Sequence, residues 1–196
     1  MPSDTLILGF DTSAAHCAAA LLRGGEIIAS RTEDMSRGQA ERLMPLLEEV
    51  LAGQGTTWRD LSAIGVGEGP GNFTGIRISV SAARGLALGL GIPAVGITGF
   101  EARAFTAPAG HLPIIPAPRE QVYVQPAEGS PALLPLADAE SLGNLYTQND
   151  PGVLVEAIAR LAATRWQDTT QPPAPLYVRP ADAAPSRDVP PVLLDG

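Results

Sequence analysis

The sequence predicts an α/β layer fold, and three patterns carry that prediction. The first hundred or so residues alternate apolar runs with helical periodicity in the order β-β-β-α-β-α-β. A pair of glycines joins two of the runs as a hairpin. A glycine-rich loop stands between a strand and a helix. A hairpin sheet extended by parallel strands through crossover helices is a layered α/β architecture.

Leu6-Ile7-Leu8-Gly9-Phe10 reads as a buried strand. Cys17 to Leu22 and Glu26 to Ser30 read as two more, joined by the turn Arg23-Gly24-Gly25. A first helix follows, with Ala40, Leu43, Met44, Leu47, Val50 and Leu51 on one face. Ser36 is its expected N-cap, with Gln39 three residues on, and Gly53 and Gly55 mark its end. Leu61 to Val66 is the next strand. The loop Gly67-Glu68-Gly69-Pro70-Gly71-Asn72-Phe73-Thr74-Gly75 then opens a second helix, about Thr74 to Leu90. Pro93 ends it, and Ala94 to Ile97 is a fifth strand. From about Phe105 proline becomes frequent, with strands expected at Leu112 to Ile115 and Gln121 to Gln125. Asp150 caps a last helix with Pro151 at its first position. Val153, Leu154, Ala157, Ile158, Leu161 and Ala162 are its expected inner face. After Gln171 the chain is proline-rich and reads as extended or disordered, except near Leu176-Tyr177-Val178.

Composition narrows the function. The 196 residues carry a formal charge of −8, with 45% hydrophobic and 17% charged positions. That is enough apolar material for a core. An acidic chain does not hold RNA or DNA tightly by itself, because phosphate contacts supply most of the affinity. All 13 basic residues are arginine. A Walker A lysine, a Schiff-base lysine and a lysine general base are therefore excluded. Cys17 is the sole cysteine, so an internal disulfide and a thiolate zinc site are excluded too. It reads as a buried structural thiol. His16 and His111 belong to no metal-binding spacing. No basic segment leads an apolar one at the N-terminus. The apolar run from Gly85 to Phe100 is too short to span a bilayer. A cytoplasmic protein is expected.

Four features carry chemistry or contacts. Asp11-Thr12-Ser13 follows the first strand; it fits either Mg²⁺-water or phosphate contact, or a plain Asx turn. The glycine loop fits either an anion cradle at a helix N-terminus or a tight crossover with close backbone packing. It matches neither GxGxxG nor GxxxxGK[ST]. Ser81, Gly85 and Gly89 form a small-residue stripe on the second helix, expected against its own sheet, with another subunit as the alternative. Met44 and the leucines of the first helix are typical of a core, and also of interfaces. Glu48-Glu49 reads as solvated.

Ile7 to Ser13, the helix Gln39 to Leu51 and Gly69-Pro70-Gly71-Asn72-Phe73-Thr74-Gly75-Ile76-Arg77 together resemble the TsaB (YeaZ) family, and Pro175 to Ala181 is similar to its C-terminal motif. The resemblance is strong over about residues 5 to 105 and loose from 106 to 174. It implies an actin/Hsp70-like ATPase (ASKHA, RNase H-like) fold: a first lobe at 1–104, a reduced second lobe at 105–171, and a proline-rich segment at 172–196. It implies a non-catalytic subunit of the complex that forms N6-threonylcarbamoyladenosine (t6A) at position 37 of tRNAs reading ANN codons. The implied partners are a TsaD-like catalytic subunit and a TsaE-like ATPase, with a homodimer in isolation, no membrane, and tRNA met only through the complex. The docking face implied on the two first-lobe helices comprises Leu43, Leu47, Leu51, Ser79, Ala83 and Leu86. Asp11, Thr12, Gly69 and Gly71 would be the remnant of a phosphate site. No cofactor is expected to bind tightly, ATP or ADP with Mg²⁺ entering only at a complex interface. TsaD carries an HxxxH metal motif after its fifth strand; here Gly99 and Arg103 stand at the two histidine positions, so no metal site is expected. Ala117-Pro118-Arg119 replaces an Asp-Ala-Arg-like string of the family. The competing reading is an independent nucleotide-binding or metallopeptidase-like enzyme of the same superfamily.

Overall fold

Alternation within the first strand decides the architecture. In the computed structural model, which describes residues 4–126 and 129–178, β1 (Leu6–Asp11) is buried along its whole length. Leu6, Leu8 and Phe10 point into one apolar layer and Ile7 into another. A strand covered on both faces reads as a continuous apolar run rather than an alternating one. β1 sits at the centre of a five-stranded sheet ordered β3-β2-β1-β4-β5, with β2 at His16–Arg23, β3 at Glu26–Asp34, β4 at Ala63–Gly67 and β5 at Ala94–Ile97. β1, β2 and β3 are antiparallel; β4 and β5 run parallel to β1. Gly24 and Gly25 turn the β2–β3 hairpin at φ 58° and 101°. Positive φ at both central residues gives the twist that a two-residue hairpin needs.

One face carries α1 (Gln39–Ala52) and α2 (Phe73–Leu90). Leu43, Leu46, Leu47, Val50 and Leu51 of α1, and Ile76, Val80 and Ala83 of α2, close this layer over Cys17, Leu21, Ile64 and Val66. The expected α1 face is right at Leu43, Leu47, Val50 and Leu51. Ala40 and Met44 turn outward instead, and Leu46 turns in. Ser36 does not cap α1. Gly38 holds the N-cap position at φ 88°, a left-handed conformation that makes no side-chain cap. Asn72 caps α2 by accepting a hydrogen bond from the Gly75 amide at 2.8 Å.

The other face is covered by α3 (Gly99–Thr106) and α5 (Pro151–Arg165). Asp150 caps α5 as expected, its Oδ1 accepting from Gly152 N at 2.8 Å, with Pro151 following. The buried side of α5 runs through Leu154, Val155, Ala157, Ile158, Ala159, Ala162 and Ala163; Val153 and Leu161 are only half-buried. Gly9 and Gly65 let α5 approach. A Cβ at Gly65 would lie 2.8 Å from Ala162 Cβ and 3.2 Å from Ile158 Cγ2. This corrects the expected lobes at 1–104 and 105–171. α3 crosses that boundary, and α5 completes the core of the first sheet rather than the second lobe.

A second sheet is ordered β8-β7-β6-β9: β6 His111–Ala117, β7 Gln121–Val124, β8 Ala132–Pro135 and β9 Asn144–Tyr146. Its small core joins Ile114, Val122, Val124 and Ala139, the last from α4 (Leu136–Glu140). β8, α4 and β9 were not expected. Residues 172–178 return extended along the first lobe. The Leu176 amide donates to the Glu68 carbonyl and the Ala174 amide to Glu68 Oε1, each at 2.8 Å. Arg179 to Ala181 of the expected C-terminal motif, and the rest of the proline-rich segment, lie outside the described residues.

Candidate functional site

Asp11 ends β1 and faces three donors. Its Oδ2 accepts from Ser13 N at 3.1 Å, Ser13 Oγ at 2.8 Å and His16 Nε2 at 2.8 Å. Asp11 and His16 are each 6% exposed. Burial opposes ionisation of the carboxyl, but the hydrogen bonds and charge of His16, with the two bonds from Ser13, outweigh it and hold Asp11 below its ordinary value. Its Oδ1 lies against Gly67, where an added Cβ would overlap it. The Asx-turn reading therefore holds for Ser13. His16, which the sequence left without a role, supplies the strongest partner.

The glycine loop packs backbone on backbone. A Cβ at Gly71 or Gly75 would overlap the carbonyl oxygens of Ser13 and Thr12 respectively. Thr12 Oγ1 donates to Gly75 O at 2.7 Å, Asn72 N to Ser13 O at 2.7 Å, and Gly99 N to Gly69 O at 2.7 Å. Of the loop amides, Asn72 N goes to Ser13 O and Gly75 N to Asn72 Oδ1, and the carbonyls of Gly69 and Gly75 tie the loop to α3 and β1. Of the expected phosphate remnant, Asp11, Thr12 and Gly71 come together; Gly69 turns instead toward Ile76 and Gly99.

Arg103 occupies the base of α3 at 8% exposure. Its Nη1 donates to Gly99 O at 3.0 Å, and its Nε has no hydrogen-bond partner. Burial pushes the guanidinium down to about 10, with the charges of Asp11 and Tyr146 opposing. Gly99 and Arg103 supply no metal ligand. Among the described residues, no group of three His, Cys, Asp or Glu side chains converges. Arg119 lies in the β6–β7 turn at φ 61°.

The expected docking residues are placed elsewhere. Leu43, Leu47, Leu51, Ser79 and Ala83 are at most 2% exposed, within the chain's own core, and Leu86 is half-buried against it. An amphipathic stripe marks the face a helix buries, and here its own sheet takes it. The outward face of the same helices carries Ala40 and Met44 on α1, and Ser81, Arg84, Gly85, Leu88 and Gly89 on α2. Leu88 is 86% exposed, and no atom would lie within 4 Å of a Cβ at Gly85 or Gly89. The small-residue stripe thus looks away from the sheet, contrary to its expected burial. It borders a groove of about 530 Å³ that runs between Arg84–Ala94 and Thr169–Pro173. The exposed Phe73, Arg77 and Tyr177 cluster at the other end of α2; Phe73 and Arg77 stand in the string that carries the resemblance and Tyr177 in Leu176-Tyr177-Val178, but nothing in the sequence joins the two segments.

Residues 25–139 match the family model described as TsaD, tRNA N6-adenosine threonylcarbamoyltransferase. The tRNA threonylcarbamoyladenosine biosynthesis protein TsaB of Escherichia coli is 38% identical over 92 residues, which cover 47% of this chain and 39% of that protein. The chain spans 39–44% of the length of the TsaB relatives from Escherichia, Buchnera aphidicola (Schizaphis graminum) and Haemophilus influenzae. An uncharacterized protein of Mycobacterium tuberculosis is 30% identical over 204 residues, covering 91% of this chain and 94% of its own. The structure of YeaZ from Pseudomonas aeruginosa superposes with a TM-score of 0.72 at 26% identity, over 89% of this chain and all of that one.

Proposed function

This chain belongs to the TsaD family, on the branch of TsaB and YeaZ, and from that premise we propose that it is a non-catalytic subunit of the machinery that forms t6A on tRNA. It docks a TsaD-like catalytic subunit, works beside a TsaE-like ATPase, and pairs with itself when alone. The observation that carries this reading is the contrast between its two candidate sites. At Asp11, Oδ2 already takes three hydrogen bonds from Ser13 and His16, and the glycine loop packs against the carbonyls of Thr12 and Ser13. The outward face of α1 and α2 is open, with a nearly fully exposed leucine between two unobstructed glycines.

Small residues let a partner helix approach closely, and an exposed leucine beside them offers apolar surface for it to bury. The competing enzyme reading requires free ligands at Asp11 and free amides in the loop. Instead Asp11 Oδ2 takes bonds from His16 and Ser13, and the amides of Asn72 and Gly75 are bonded within the chain. Nucleotide with Mg²⁺ enters, on this reading, only where a partner completes a site. No helix among the described residues is long and apolar enough to cross a membrane. We place the chain in the cytoplasm on its relatives' pathway.

Affinity capture of the tagged chain from native cytosol, with mass spectrometry of the partners, tests the proposal. Recovery of a TsaD-like protein, and loss of t6A from tRNA nucleosides when the chain is depleted, are expected. Unchanged t6A in depleted cells overturns it.

A further inference from the structure

Phe73 and Tyr177 are among the largest apolar side chains left in water, at 51% and 44% exposure. They lie together although they are far apart in sequence. Their ring centroids are 4.8 Å apart with an interplanar angle of 33°. Arg77, one turn beyond Phe73 on α2, stacks its guanidinium 3.8 Å above the Phe73 ring centroid. Its Nε donates to Tyr177 Oη at 2.8 Å. The cluster is held in place from behind, because Glu68 fixes the segment leading to Tyr177 through Ala174 N and Leu176 N. Beside it opens a cavity of about 360 Å³, bounded by Pro70 and Gly71 of the loop, Tyr123 of β7, and Leu176 to Val178. That volume falls within the range of small-ligand sites, about 300–1,000 Å³.

We propose that this aromatic–arginine platform stacks an unpaired nucleobase of single-stranded RNA, so that the chain itself touches the tRNA loop it serves; the inference rests on the t6A reading above. Two half-exposed aromatic rings with a guanidinium lying over one of them suit a base, whose stacking on aromatic and arginine surfaces is tolerant of sequence. Arg77 forms no ion pair among the described residues, which leaves its terminal nitrogens for the adjoining phosphate. A cation beside the rings complements a polyanion. The chain's net charge of −8 makes this a local contact that gains its affinity within a complex rather than an independent binding site. Tyr123 from the second lobe borders the same cavity, so both lobes take part.

The probe is an anticodon stem-loop carrying 4-thiouridine, bound to the complex of this chain with its TsaD-like partner. Ultraviolet crosslinks mapped by mass spectrometry are expected on Phe73 or Tyr177. Y177A should weaken stem-loop binding roughly tenfold, whereas Y177F should retain most of it. R77Q should lower the slope of log affinity against log salt by about 0.7 to 1. Co-purification of the partner should be unaffected by any of these changes, and its loss in the wild type would count against the t6A reading instead. Wild-type RNA binding by Y177A, or crosslinks confined to other surfaces, overturns the platform. So does protection of Phe73 and Tyr177 by the protein partner alone, which would make this a protein interface.

Discussion

Replacing Leu88 by glutamate separates docking from folding. Leu88 is 86% exposed, so the isolated chain loses almost no packing, and its stability should change by less than about 0.5 kcal/mol. Buried under a partner, a leucine contributes about 1.5–3 kcal/mol. At about 1.4 kcal/mol per tenfold, L88E should weaken the complex at least roughly tenfold to hundredfold, before any cost of desolvating the new carboxylate. Leu47 gives the contrast. It is 0% exposed between α1 and the sheet, so L47E puts an unpaired carboxylate into the core and should unfold the chain outright. Thermal melting of the isolated chain, and sedimentation velocity with the TsaD-like subunit over a concentration series, give both quantities. Unaltered affinity of L88E, or an L47E chain that folds normally and loses only its partner, would refute this assignment of the two helix faces.

Three further outcomes test the interior. G65A should cost about 1–3 kcal/mol, because its Cβ forces Ala162 and Ile158 of α5 away from the sheet. At about 2–4 °C per kcal/mol the melting temperature falls visibly, and an unchanged melt would mean that α5 does not pack there. Asp11 is held below its unfolded value, so its contribution is present above about pH 4 and lost as pH falls through the folded pKa. Urea melts from about pH 7 down to pH 2 should show a steep acid limb that D11N flattens; equal limbs would contradict the His16 pairing. Burial pushes the Cys17 thiol up to about 11, with Glu33 adding to the effect. It should react with a disulfide reagent at about pH 8 only at the rate of unfolding, and fast labelling of the native chain would show that it is accessible.

The residues announced the first lobe well because each element there carries its own local code. The Gly24-Gly25 pair, the apolar spacing from Leu43 to Leu51, and Asp150-Pro151 each fix an element without reference to anything distant. Placement was harder. Periodicity shows that α1 and α2 have apolar stripes, but not whether a sheet of the same chain or another chain covers them. Leu47 and Ala83 were therefore assigned to a partner that the sheet replaces. Nothing near α5 says that it closes on β1 and β4. The signal lay at the far end, in Gly9 and Gly65, glycines within strands where a neighbouring backbone comes close. Similarly, Asp11 and His16 are five positions apart around a turn, and only the β1–β2 pairing makes them neighbours. The strands β8 and β9 are four and three residues long, too short to show an alternation.

Reconstitution of the modification from purified parts separates a helper subunit from a catalyst. Purified TsaD-like and TsaE-like subunits, tRNA and substrates would be assayed for t6A without this chain, with it, and with its D11N variant; the chain would also be assayed alone. Product is expected only when the chain joins the other two, at comparable rates for wild type and a folded D11N. Product from the chain by itself, or a D11N complex that assembles fully yet makes none, would contradict it.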